Sequence, residues 1–178
     1  MTTAVQKGLP GELLMWVLIF SELAVFGGGL VIFMALRLMD PAGFAEAQTA
    51  LLPALAGINT VLLITSGFFA AMAAQLPMPR ARRRLWLAAA ALLGVVFLIL
   101  KGIEFQHKAE LGITFETNDF FMLYYLLTGF HAAHVVAGIL ILGLVAITAR
   151  PAHIQTGAAF WHMVDLVWVL LFPVVYLL

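Results

Sequence analysis

Two short phrases carry most of the residues able to do chemistry. One is Thr128-Gly129-Phe130-His131-Ala132-Ala133-His134-Val135-Val136-Ala137-Gly138, and the other is Phe160-Trp161-His162-Met163-Val164-Asp165-Leu166-Val167-Trp168. Both lie in apolar stretches long enough to cross a bilayer, and Glu22 lies in a third. An ionisable group at membrane depth costs at least ~2.5–3.5 kcal/mol unless partnered, so each marks a candidate site. His131 and His134 stand three residues apart, as do His162 and Asp165, so each pair shares a helix face. Such residues could hydrogen-bond between helices and fix their register. The two pairs could hold zinc or iron, or each helix could give one histidine to a haem. They could also bind lipid or relay protons, with Glu22 as the proton-active member. Nothing in the sequence marks the outer residues that orient metal ligands.

The elements that must position these groups read as five membrane spans at about 13–36, 51–75, 85–103, 120–147 and 157–178. The 178 residues are 64% hydrophobic and only 10% charged, and mean hydropathy is +1.08. A soluble domain carries roughly 25% charged residues, so this is an integral membrane protein of one domain. The expected fold is an all-α membrane protein, a five-transmembrane-helix bundle. The first span is too long for a signal-peptide core and reads as a retained helix. Between spans come a loop over 37–48, a basic loop over 77–84, an acidic loop over 104–119 and a short loop over 150–156. There is no cysteine, which excludes disulfides and thiolate sites, and net charge is zero, which gives no field for nucleic acid.

Loop charge sets the expected orientation. One side holds Lys7, Arg80, Arg82, Arg83, Arg84 and Arg150, and the other holds Arg37, Lys101 and Lys108. The positive-inside rule puts the N-terminus in the cytoplasm and the C-terminus in the periplasm. At ~1.5 Å per residue, Glu22 lies ~13 Å and Asp165 ~12 Å from the cytoplasmic edge, and His131 lies near the midplane. Glu22, His131, His134, His162 and Asp165 thus share one slab of depth on three helices. They are expected to face inward as a buried polar cluster in which some members bond one another.

Other features are weaker. Trp161 and Trp168 are packing residues or lipid and partner contacts. Arg80, Arg82, Arg83 and Arg84 read as a topology anchor or as partner or anionic-lipid contacts. Gly27-Gly28-Gly29 permits close helix approach. Lys101 is expected to snorkel, and Glu104, Glu110, Glu116 and Asp119 make the outer loop acidic. No internal repeat, Walker motif, HExxH, GxSxG or GxGxxG occurs. Five histidines are too few to ligate two haems and a copper, which excludes the catalytic subunit of a terminal oxidase.

At these phrases the chain resembles subunit III of the haem–copper oxidase superfamily, over nearly its whole length from Pro10 to Tyr176. Phe20-Ser21-Glu22, Thr128-Gly129-Phe130-His131 with His134-Val135 and Gly138, and Trp161-His162 with Val164-Asp165 and Val167-Trp168 carry the likeness. The resemblance implies the five-helix form of the family, with no haem or metal of its own. It implies an accessory subunit packed beside a haem-containing catalytic subunit, binding phospholipid and supporting turnover. Glu22 falls at the family's buried glutamate, and His131, His134, His162 and Asp165 at its buried polar positions. A nearer likeness is to the NorE-type branch, the subunit-III-like proteins associated with nitric oxide reductase in denitrifying bacteria. Leu9-Pro10-Gly11-Glu12 before Met15-Trp16, and Thr117-Asn118-Asp119-Phe120-Phe121-Met122 before Tyr124, carry that step. The expected role is therefore an accessory subunit of nitric oxide reductase in a bacterial plasma membrane, with haem and iron or copper in the partner. The alternatives are subunit III of a cytochrome c or quinol oxidase, a stand-alone metal-dependent membrane enzyme, and a small transporter or proton channel.

Overall fold

A computed structural model describes residues 13–75 and 77–178; Lys7 and the phrase Leu9 to Glu12 lie outside the described residues. These residues form six α-helices and no strand: α1 (Leu13–Met39), α2 (Pro41–Gln48), α3 (Pro53–Ala74), α4 (Arg80–Glu110), α5 (Asp119–Thr148) and α6 (Pro151–Phe172). A short π-helical segment, Pro173–Leu177, extends α6. All but α2 are long and apolar enough to cross a membrane.

Local chemistry sets the boundaries. α2, α3 and α6 each begin with proline, whose fixed φ and missing N–H suit a first turn. The Asp40 carboxylate caps α2 by accepting from the Gly43 N–H at 3.0 Å, and Asn118 caps α5 by accepting from Phe121 N–H at 2.9 Å. α5 stops at Ala149, in the left-handed region at φ 46°. The Arg84 guanidinium donates to the carbonyls of Ala146 and Ile147 at 2.9 and 2.7 Å. It satisfies two acceptors that the helix end leaves free and sets a cation against the negative end of the dipole. Pro173 offers no N–H to the turn before it, and its own carbonyl accepts from Leu178 N–H at 3.0 Å, a five-residue closure.

All four expected loops are wholly or partly helical. Residues 41–48 form α2, because capping by Asp40 and Pro41 overrides the polar composition. α4 takes in Arg80 to Arg84 and extends to Glu110, and α6 starts at Pro151 rather than 157. The 31 residues of α4 are about 46 Å long, more than a ~30 Å hydrocarbon core, so its charged ends remain helical beyond the apolar stretch.

α3, α4, α5 and α6 close into a ring, each packed on the next and α6 back on α3; α1 lies outside against α5 and α6. Trp161 of α6 fills the ring's axis and is fully buried. Its indole N–H donates to Ser66 Oγ of α3 at 3.0 Å, and Ser66 donates to the Ala90 carbonyl of α4 at 2.7 Å. Its ring lies on Gly94 of α4 and Gly138 of α5, where a Cβ would stand 2.7 and 2.5 Å from ring carbons. One turn-pair further along α6, Trp168 donates to Thr60 Oγ1 at 3.0 Å. Outside the ring, Phe33, Phe44 and Phe120 meet at centroid separations of 5.3–5.6 Å and join α1, α2 and α5. Gln48 Nε2 donates to the Val175 carbonyl at 3.0 Å and ties α2 to the π-helical segment.

Gly138→Ala drives a methyl into a rigid ring and is expected to lower stability by about 1–3 kcal/mol. Gly143→Ala on the same helix meets nothing within 4 Å and is expected to be neutral or mildly stabilising. Thermal unfolding of the two variants in detergent, side by side, measures this.

Candidate functional site

The structure divides the expected cluster into three groups, and among the described residues no hydrogen bond links one group to another. Glu22 of α1 and His134 of α5 form the first. Glu22 Oε2 lies 3.0 Å from His134 Nε2, with side chains 23% and 15% exposed, on an approach off the hydrogen-bonding direction. His134 Nδ1 lies 2.9 Å from the Phe130 carbonyl, an acceptor only, so Nδ1 carries a hydrogen. A single proton between Nε2 and the Glu22 carboxyl therefore decides whether this contact is an ion pair or a neutral pair.

His131 stands by itself. It is fully buried, and among the described residues neither ring nitrogen has a hydrogen-bond partner. Phe97 of α4, Trp168 of α6 and Phe26 of α1 enclose it at ring separations of 5.6, 5.2 and 6.4 Å. A ring so walled by aromatic faces packs where four helices meet.

His162 and Asp165 form the third group, on the α3–α6 seam. His162 does not face inward: its side chain is 47% exposed, while that of Asp165 is 10% exposed. The i,i+3 spacing places both toward the seam, but α6 is rotated to bury Trp161 and Trp168, which carries His162 outward. Nδ1 and Oδ2 are 3.9 Å apart, beyond hydrogen-bond reach. Asp165 rests on the bare Cα of Gly67, where a Cβ would overlap its carboxylate.

Trp161 and Trp168, read as packing residues or as lipid and partner contacts, are both fully buried, which leaves them the packing role and no surface for a lipid or partner. Of the arginines, Arg80, Arg82 and Arg84 are exposed, whereas Arg83 is 6% exposed and its Nε has no partner. Only Arg84 has the helix-end bonds described above. No group of three or more His, Asp or Glu among the described residues could hold a metal ion, which leaves the metal-enzyme reading without a ligand set there.

Sequence reasoning missed a second polar centre. Lys101, read as snorkelling, and Glu104, read as a loop residue, are 1% and 0% exposed inside the bundle, together with Lys108. Lys101 Nζ donates to Glu104 Oε2 at 2.8 Å, to Tyr124 OH at 3.1 Å, and to Tyr176 OH. Lys108 Nζ donates to Glu104 Oε1 at 2.9 Å, and Tyr176 OH donates to the same carboxylate at 3.0 Å. Phe105, Tyr124, Trp168 and Tyr176 present their rings to Lys101 at 4.8–5.3 Å, which offsets part of its lost hydration. The sequence signal was the i,i+3 and i,i+4 spacing of Lys101, Glu104 and Lys108, which puts them on one helix face.

Removing one member of such a dry network leaves uncompensated charge. Glu104→Gln is expected to cost about 3–5 kcal/mol. The triple variant Lys101→Met, Glu104→Met, Lys108→Met is expected to cost less than Glu104→Gln alone, because no orphan charge remains. Denaturation midpoints of the two in one detergent decide it; a triple variant worse than the single one would refute the charge-compensation account.

The cytochrome c oxidase subunit III family model matches residues 1–178. Cytochrome c oxidase subunit 3 of Synechocystis sp. is 34% identical over 169 residues, covering 89% of this chain and 71% of that protein. The same subunit of Thermostichus vulcanus is 35% identical over 174 residues, covering 91% and 84%. A probable quinol oxidase subunit 3 of Staphylococcus saprophyticus is 27% identical over 184 residues, covering 97% and 90%. A ring of four helices around Trp161 with a fifth span outside it, and a family match along the entire sequence, lead to one conclusion: the chain belongs to the cytochrome c oxidase subunit III family.

Proposed function

We propose that the chain is the third, non-catalytic membrane subunit of a bacterial haem–copper oxidase reducing oxygen with electrons from cytochrome c or quinol. The observation that carries this is the family match over 1–178, with oxidase subunits as relatives at up to 35% identity over nine-tenths of the chain. The relatives named above are subunits of cytochrome c and quinol oxidases, so they favour the oxygen-reducing complex over the nitric oxide reductase expected from the NorE-type phrases. His131 is sealed by aromatic rings, and the described residues offer no metal ligand set. Haem and iron or copper belong to the catalytic subunit.

Two further parts of the proposal rest on this reading. The N-terminus is cytoplasmic: because Lys101 and Lys108 are buried inside the bundle around Glu104, the exposed positive charge gathers at the end holding Arg80, Arg82, Arg84 and Arg150. A phospholipid chain occupies the groove of about 240 Å³ between α1 and α5, lined by Val25, Phe26, Gly29, Leu126, Leu127 and Phe130.

Affinity purification of the tagged chain from native membranes in a mild detergent tests the function. The expected product is a complex with the visible spectrum of haem and oxygen-consuming activity. Nitric oxide reduction without oxygen consumption would move the chain to the nitric oxide reductase branch, and a colourless product would reject both.

A further inference from the structure

Asp165 is the buried carboxyl of α6 that the described residues leave unsatisfied. It is 7% exposed; Oδ1 is enclosed and has no hydrogen-bond partner, and Oδ2 lies toward the half-exposed His162 ring, 3.9 Å from Nδ1. Gly67 across the seam is what lets the carboxyl settle there at all. α6 and its π-helical extension run from Pro151 to Leu177, so Asp165 is about 21 Å from one end and about 18 Å from the other. That is the middle of a bilayer. The flanking surface is otherwise hydrocarbon-like: Ile64 and Phe68 of α3 and Leu166 and Leu170 of α6 are 45–58% exposed.

A carboxyl at this depth with no donor, beside an imidazole half open to the outside, does not suit a face bathed in acyl chains. A lipid headgroup sits at the bilayer surface, on the order of 15 Å away, and cannot reach it. A side chain from another membrane helix can. We propose that the α3–α6 face around His162 and Asp165 is where the catalytic subunit packs, with a hydrogen-bond-donating side chain of one of its membrane helices entering between His162 and Asp165. The proposal rests on the oxidase-subunit reading and specifies its interface. The apolar residues around the pair supply packing, and the pair supplies register, since an unmatched helix would leave the carboxyl unsatisfied.

The test uses the assembled complex in native membranes. p-Benzoylphenylalanine is introduced in place of Leu166, and separately in place of Val31 on α1 and Leu92 on α4, which are 68% and 63% exposed on other faces. On illumination the probe at 166 is expected to label the haem-containing subunit, and the probes at 31 and 92 are not. In parallel, Asp165→Ala is expected to reduce recovery of the haem-containing subunit on the order of tenfold. The thermal midpoint of the isolated chain is expected to hold, because no hydrogen bond among the described residues depends on that carboxyl. Labelling of lipid alone, or of a second copy of the chain, at 166 with labelling of the haem-containing subunit at 31 or 92 overturns the proposed face and keeps the oxidase reading. No haem-containing subunit labelled from any position overturns both. An isolated Asp165→Ala chain that loses stability in proportion to its loss of partner makes the carboxyl an internal structural group and overturns the docking role.

Discussion

The bundle depends on one indole being admitted to its axis. Between helices in lipid the hydrophobic effect supplies no attraction, so close packing and hydrogen bonds must hold them. Trp161 provides both. It needs two glycines and a serine on three different helices to make room, at 94, 138 and 66. Its N–H passes through Ser66 to the Ala90 carbonyl, so α6, α3 and α4 share one hydrogen-bond relay, and α5 closes on the ring face through Gly138. Trp168, seven residues on, presents the same face of α6 and repeats the arrangement with Thr60. The rotation of α6 that buries both indoles is also what turns His162 outward.

Aromatic core and ion network are continuous. Phe97 stands edge-on to Trp168 at 4.9 Å, and the other side of the same neighbourhood carries Lys101, 5.3 Å from the Trp168 ring. Lys101 and Tyr176 then bind the π-helical end of the chain to α4 and α5. Two lysines against one glutamate leave a unit of positive charge in a dry place. Four ring faces and two phenol oxygens serve as its solvent.

The spans were legible because apolar runs of twenty or more residues have one meaning. Their ends were not. Arg80 to Arg84 and Glu104 to Glu110 read as loop by polarity, yet helix geometry continues through them, since a helix longer than the hydrocarbon core carries its charges beyond it or buries them in pairs. α2 was hidden for the same reason, although Asp40-Pro41 is a capping signal that composition obscured. For the candidate site, depth was legible and direction was not. A one-dimensional estimate places Glu22, His131 and Asp165 in one slab, but helix rotation decides whether they meet. Only Glu22 and His134 come within contact across helices, while His131 is enclosed by rings that no spacing rule marks.

α1 leaves the ribosome before the other four spans and is the least buried of the five, and its main partners are α5 and α6. Glu22 is separated from His134 by 112 positions of chain. At synthesis rates of about 5–20 residues per second, α1 resides in the bilayer for roughly 5–20 s before the helices it packs on are made. For that time Glu22 has only lipid, water at the interface, or whatever the insertion machinery offers as company. Assembly thus runs backward along the sequence. The last four helices make a closed ring whose contacts are mostly between successive elements, and the earliest helix is recruited to its outside at the end.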